Sequence, residues 1–419
     1  MKTRSGKYYI DENKDRLSDL PDCILLIILS ILNAKQVVQT SILSTRWKNL
    51  WKNLPILSLR STQFKTYKAF NKFMSHFLSL RDASTALHII DVNRKGMMEP
   101  RLLEKILKYG VSHDVQRLRI NGKCDIQHFP SCLFSCHTLT SLHFFVHPPR
   151  QQKILFPSSL NLPSLTRLFI GNVIFHGGVD PFSGFPSLDS LAIFSFQIMG
   201  EKNLCISSTT LVELVIQVLY EPNNNAKIEL STPSLRTFVF MGTPFPILCS
   251  SHLSSIEHIK LFVYKFQNYA KAPSVLLSWL LELADIKWLE VDLITLQVLS
   301  LVPNLLKVKL HSLRNLKSLR VKVKQLSHGS SNSPTNTKLA LLPAMSQEED
   351  AKLQEEFKEG SSSIPDGIID FLLQNSPSAK VHYWKGEIFY FDFCLIVSLC
   401  FFNYYNLLTF IMTCKTSMN

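Results

Sequence analysis

One short pattern, apolar-x-x-apolar-x-apolar, recurs along the middle of this 419-residue chain and constrains its fold more than any other feature. It reads LTSLHF at 139–144, LTRLFI at 165–170, LDSLAI at 188–193, LVELVI at 211–216, LRTFVF at 235–240, IEHIKL at 256–261, IKWLEV at 286–291 and LLKVKL at 305–310. VQRLRI at 115–120 is a first member, and LKSLRV at 316–321 a weaker last one. The second apolar positions (118, 142, 168, 191, 214, 238, 259, 289, 308) fall 19 to 30 residues apart. Pro-Ser, His-Thr, Thr-Thr or Pro-Asn precedes six of the segments. A unit of that length makes one strand and a return, and buries its apolar side only against the next unit, so the pattern predicts a stack with one continuous core. The intervening residues, such as Thr166, Arg167 and Phe169, or Glu257, His258 and Lys260, are expected on an exposed face.

The period and the Leu-x-x-Leu-x-Leu core resemble leucine-rich repeats, which implies an α/β solenoid over residues 86–325. The array departs from the usual consensus. Where Asn or Cys commonly stands, this chain has Val173, Phe196, Leu219, Thr243, Tyr264, Ile294 and Leu313. An amide ladder is therefore missing, and apolar packing must hold those turns. Irregular loops are expected at 145–160, 220–230 and 265–285.

Residues 15–60 have a different texture. Leu20-Pro21 opens an apolar run from Cys23 to Leu32 that is polar only at Ser30. Pro suits the first turn of a helix, and Asp19 and Asp22 suit its positive end. Asn33 breaks the run. A second helix carries Val37, Val38, Ile42 and Leu43, and a third carries Trp47, Leu50 and Trp51. Three short helices make too small a core to stand alone, and the surplus apolar residues read as a docking face. The segments Asp15-Arg16-Leu17-Ser18-Asp19-Leu20-Pro21, Ile28-Leu29-Ser30, Val38-Gln39-Thr40-Ser41, Leu43-Ser44-Thr45-Arg46-Trp47 and Leu50-Trp51 resemble an F-box. The resemblance implies a Skp-type adaptor bound through Leu20, Pro21, Ile24, Ile28, Leu32, Leu43 and Trp47, with Arg46 and Trp51 bracing the helices. Through that adaptor it implies a cullin-RING ubiquitin ligase, with a target protein held on the repeats.

The remaining segments complete an α+β chain: a three-helix F-box, then an irregular leucine-rich-repeat array. Residues 1–14 are a polar tail. Residues 61–85 read as a linker helix, with Phe70, Phe73, Met74, Phe77 and Leu78 at helical spacing. Residues 326–363 are Ser/Thr/Asn-rich and then charged, as in a flexible linker, with one exposed helix at 346–358. Residues 364–383 resemble the last part of the FBD segment that ends some plant F-box/leucine-rich-repeat proteins, with Leu372-Leu373, Gln374-Asn375 and Ala379-Lys380-Val381. Residues 384–419 form a hydrophobic tail. Its stretch 388–412 contains one charge, Asp392, and is long enough to cross a bilayer, although Asp392, Asn403 and Asn406 argue against an anchor.

Composition narrows the chemistry. An apolar fraction of 46% against 18% charged suits a large core and excludes a disordered chain. The 45 basic residues exceed the 32 acidic ones, but they are scattered, with no basic run of the kind nucleic acid requires. Nine cysteines without disulfide-like spacing suit a reduced intracellular protein, nuclear or cytoplasmic. Cys124, His128, Cys132, Cys136 and His137 have ligand types that suit zinc, but Pro130 breaks any helix that would gather them, so buried cysteines are the simpler reading. There is no P-loop, GxGxxG, GxSxG, HExxH or CxxC. The expectation is a non-catalytic receptor with no cofactor and no metal. The alternative is a protein-binding scaffold outside any ligase.

Overall fold

The computed structural model describes residues 20–201, 203–218, 227–245, 247–249, 255–263, 272–283, 285–323 and 364–384. The N-terminal tail, the linker helix expected at 346–358 and the apolar stretch 388–412 lie outside the described residues.

Local chemistry sets the first elements. Helix α1 (Asp22–Ser30) starts where the Pro21 carbonyl accepts the Ile24 and Leu25 N–H groups at 3.0 and 3.2 Å. Pro21 is thus the N-cap, one position before the first turn in which it was expected. Leu25 and Leu29, one turn apart, are fully buried. Asn33 starts α2 (Ala34–Gln39) with a capping box: its side chain accepts the Gln36 N–H, while the Gln36 side chain accepts the Asn33 N–H. The Thr40 and Ser41 hydroxyls donate to the carbonyls of Val37 and Val38, which ends the helix in a 3₁₀ turn at Thr40–Ile42. Helix α3 (Trp47–Leu50) follows.

Strand β1 (Ile56–Arg60) already belongs to the main sheet, ahead of the repeat region expected from residue 86. Then come α4 (Tyr67–Ser79), β2 (Ile89–Met98), α5 (Pro100–Ser112), β3 (Arg117–Cys124), β4 (Ser141–His147), β5 (Ile154–Leu155), β6 (Arg167–Gly171), β7 (Val173–His176), β8 (Ser190–Phe194), β9 (Gln197–Met199) and β10 (Asn203–Ser207). The chain continues through β11 (Glu213–Val218), β12 (Lys227–Ser231), β13 (Thr237–Gly242), β14 (Ile247–Cys249), β15 (His258–Val263), α6 (Ala272–Glu282), β16 (Trp288–Asp292), α7 (Leu293–Ser300), β17 (Ser318–Lys322), α8 (Ile368–Leu373) and β18 (Lys380–Trp384).

Twelve of these strands form one parallel sheet in the order β1-β2-β3-β4-β6-β8-β11-β13-β15-β16-β17-β18. Two three-stranded parallel ribbons, β5-β7-β9 and β10-β12-β14, lie outside it. The register aligns the second apolar residue of each motif across the sheet: Leu57, Ile90, Leu118, Leu142, Leu168, Leu191, Leu214, Phe238, Ile259, Leu289, Leu319 and Val381. All of these but Val381, which is half-buried, are buried, and a one-residue slip would turn the whole row to the other face.

Two sequence expectations need correction. The segment 305–310 is not a strand, and the ladder passes from Leu289 directly to Leu319. Pro303 has no N–H for a ladder, and Asn304 adopts a left-handed conformation (φ 55°), so the chain turns into a 3₁₀ helix there. The loop expected at 265–285 holds α6, whose Leu276, Trp279 and Leu280 pack into the core.

Aromatic packing replaces the missing amide ladder. Val173, Phe196, Thr243 and Leu313 are all buried. Phe129, Phe156, Phe175 and Phe196 follow one another at ring separations of 5.2, 5.4 and 6.0 Å, and the series continues through Phe245 and Phe240 to Trp279. At the far end, Gln374, Asn375 and Ser376 donate to the carbonyls of Val308, Leu310 and Leu313 at 3.0, 2.8 and 2.6 Å. These bonds dock α8 and bring β18 alongside β17 as the last strand.

Asp292 links the sheet to α7. Its carboxylate accepts the Thr295 N–H at 2.8 Å and hydroxyl at 2.5 Å, and burial pushes its pKa up to about 6. Folding raises this pKa above the unfolded value of about 3.9, so the folded state binds the proton more tightly. Asp292's contribution is therefore most favourable below about pH 4, declines as pH rises to about 6, and is flat above that. Denaturant titrations of wild type and Asp292→Asn should show the wild type losing about 2–3 kcal/mol relative to the variant over that window. A stability difference independent of pH would exclude this titration.

Candidate docking site

The N-terminal helices leave apolar surface exposed. Ile24 is 37% exposed, Leu43 62%, Ile31 74% and Ile42 87%. Pro21 is exposed as well, whereas Leu20, Ile28 and Leu32 are half-buried, packed against the core. Arg46 Nη2 and Nε lie 2.5 and 3.0 Å from Asp22 Oδ1, which ties the turn carrying Ile42 and Leu43 to the start of α1. Both partners are solvent-accessible, so the pair contributes roughly 0–1 kcal/mol and matters mainly for position.

Trp47 does not belong to this surface. It is 4% exposed and part of the core, because α3 turns its ring inward beside Leu50. The expectation that it contacts a partner is corrected to a packing role. Ile31 and Ile42 are the exposed residues that helical periodicity missed. Ile42 sits in a 3₁₀ turn beyond the end of α2, where the helical wheel no longer predicts direction.

Behind the patch, Trp51 stacks on Phe77 at 5.3 Å, and Phe77 on Phe73 at 5.4 Å. Arg81 is 7% exposed and clamps this junction. It donates from Nη1 to the Trp51 carbonyl at 3.2 Å, from Nη2 to the Leu54 carbonyl at 2.5 Å and from Nε to the Tyr109 hydroxyl at 3.1 Å. Burial lowers its pKa from the ordinary arginine value. No local sequence signal marks Arg81, since its carbonyl acceptors lie 27 and 30 residues away in the chain.

The second candidate surface is the face of the sheet turned away from the main core. Register places Ser58, Asp91, Arg119, His143, Phe169, Ala192, Val215, Val239, Lys260, Glu290, Arg320 and His382 in one row across it. Both ends are polar or charged and the middle is apolar. Phe169, Ala192, Phe194, Val215, Val239, Met241 and Phe262 form a separate apolar cluster there, with Phe145 packed against it. Phe169 is therefore not the exposed residue the alternation predicts. It is 6% exposed, stacked between His143 at 3.9 Å and Phe194 at 4.3 Å. Gly171 is required here, since a Cβ on it would lie 2.0 Å from the Phe145 ring.

Cys124 and Cys136 lie in the core, and burial raises both thiol pKa values, Cys124's to about 11. Among the described residues, no three His, Cys, Asp or Glu side chains are placed to hold a metal ion. No helix among them is long and apolar enough to cross a membrane.

Comparison with known proteins bears on the first surface. Residues 17–59 match the F-box domain family. The chain is similar to an FBD-associated F-box protein of Arabidopsis thaliana, 30% identical over 240 residues that cover 53% of this chain and 56% of the relative. It is also similar to a putative F-box/FBD/LRR-repeat protein of the same plant, 28% identical over 238 residues (55% and 54% covered). F-box/LRR-repeat protein 13 of that plant is 32% identical over 158 residues (36% and 34% covered). The chain spans about half the length of the first two of these relatives. It carries an F-box domain at residues 17–59 and is similar to plant F-box/FBD/LRR-repeat proteins.

Proposed function

We propose that this protein is the substrate-recognition subunit of an SCF-type, cullin-RING ubiquitin ligase. The observation that carries the reading is the exposed apolar patch of Pro21, Ile24, Ile42 and Leu43 on a domain that matches the F-box. A small helical module that leaves such residues in water has surface to bury against a partner. A Skp-type adaptor would cover this patch, with Leu20, Ile28 and Leu32 at its margin and Trp47, Trp51 and Arg46 holding its shape.

The sheet is then the inner wall of a leucine-rich-repeat solenoid, and its second face receives the target. The chain itself performs no chemistry. It holds a target lysine near the ubiquitin carried by a recruited conjugating enzyme, and the resulting rise in effective concentration drives transfer. Rigidity between the two surfaces matters for this task, and the Arg81 clamp and the shared strand β1 supply it.

The test is co-purification of a Skp-type adaptor and cullin with the whole chain and with a chain carrying Ile42→Asp and Leu43→Asp. Adaptor and cullin are expected with the first and not with the second. Adaptor without cullin would make the protein a scaffold outside a ligase. Binding of neither would refute the docking face.

A further inference from the structure

The second face of the sheet is closed in its middle and open at its C-terminal end. Phe169, Ala192, Val215, Val239 and Phe262 are all buried, so the strands from β6 to β15 leave no room for a ligand. Beyond β15, register sets Lys380 beside Ser318 and Trp288, and His382 beside Arg320 and Glu290. We propose that this open end, β16 to β18, binds an acidic segment of the target protein, with Arg320, Lys380 and Lys317 meeting its carboxylates. This deepens the reading of the face as the target surface and rests on it.

The donors here are uncommitted. Arg320, Lys380 and His382 are exposed, and among the described residues their side chains make no hydrogen bond, ion pair or ring contact. Lys317 is exposed as well, with its Nζ 5.6 Å from the centre of the Trp288 ring. The carboxylates that share this part of the face are engaged instead. Glu290 is buried and lies 3.4 Å from Lys260. Asp292 accepts both the N–H and the hydroxyl of Thr295, and the charge of Lys322 acts on it. At the start of the strands, Glu257 pairs with Lys287. The open charge is therefore positive, and such a surface attracts and orients an acidic partner.

Geometry sets the size of the occupant. Three strands span about two strand spacings (~9.6 Å), which is the width of one extended segment. Lys380 and His382 are two residues apart on β18, so they stand ~6.6 Å apart along it, the same repeat as alternate side chains of an extended segment. Carboxylates at alternate positions would meet them in turn, and the Arg320 guanidinium can take another with paired N–H donors. Apolar surface adjoins these groups. Trp384 is 36% exposed, with the Lys322 Nζ 4.6 Å from its ring centre. An aliphatic residue beside the acidic ones would cover that indole. A nucleic acid would need a basic groove that tracks its backbone, and three strands do not supply one.

The experiment measures binding to the full chain of labelled peptides of roughly nine residues, in which glutamate alternates with serine around one leucine. The comparison peptide has glutamine in place of glutamate. The glutamate peptide should bind about tenfold or more tightly than its comparison. Arg320→Gln/Lys380→Gln should abolish that preference, with thermal midpoint and adaptor binding unchanged. Lys95→Gln/Lys123→Gln, which removes two exposed cations from β2 and β3, should leave it intact. No preference for glutamate would overturn the proposal, and equal loss in the two double variants would do so by reducing the effect to net charge. Tighter binding of a single-stranded oligonucleotide than of the glutamate peptide would overturn it as well. The chain's own stretch from Glu348 to Glu359, with six carboxylates against two lysines, is the other occupant of matching charge. Peptide binding that appears only after those six residues become glutamine or asparagine would assign the face to that stretch and not to a target. Adaptor binding is read on the same samples, so failure of the ligase reading would show there, separately from the peptide result.

Discussion

Replacing Ile42 and Leu43 by aspartate is expected to weaken adaptor binding by at least about a hundredfold, since central apolar anchors are worth roughly 2 kcal/mol or more each. The thermal midpoint should hardly move, because the two side chains are 87% and 62% exposed and contribute little to the core. Trp47→Ala is the informative contrast. That ring is 4% exposed, and its loss leaves a cavity that costs the fold about 3–5 kcal/mol, so any drop in adaptor binding should follow unfolding. Calorimetric titration with the adaptor alongside denaturant curves separates the two effects. If Ile42→Asp/Leu43→Asp binds normally, the patch is not the docking surface.

The second large effect concerns Arg81. Arg81→Ala should destabilise the protein by about 3 kcal/mol or more, because it strands the carbonyls of Trp51 and Leu54 and opens space beneath the Trp51–Phe77 stack. Arg81→Lys should recover only part of this, since an ammonium cannot reproduce the forked geometry that reaches two carbonyls and the Tyr109 hydroxyl together. The loss should concentrate at the joint between the helical module and the sheet. Hydrogen exchange would show it as faster exchange in residues 47–60 than in β6–β13. Uniformly faster exchange would mean that Arg81 supports the whole core rather than the joint.

Some of this was legible in the residues. Leu118, Leu142, Leu168, Leu191 and Leu214 recur in the sequence because each must meet its neighbour in one ladder, and a parallel register transmits that need directly into spacing. Asn33 was legible as the break in the apolar run, and the structure adds that it caps α2 through Gln36 alone. Other features depended on contacts that local pattern does not encode. Ile42 faces water because two hydroxyls end α2 early. Pro303 and Asn304 turn an apparent repeat into a 3₁₀ helix, although its leucines look like those of a strand.

The sequence by itself determined the parallel ladder, the helical module before it and the lack of an amide ladder at its turns, since each follows from periodicity or from one residue and its near neighbours. Only the tertiary structure decided that Trp47 faces the core while Ile42 faces water, that Arg81 ties the end of the helical module to helix α5, and that residues 374–376 dock the final strand. It likewise set Trp288, Arg320 and His382 on one face from three strands. Those outcomes rest on side chains that meet across tens of residues of chain, where hydrogen-bond geometry and packing, not spacing, choose the partner.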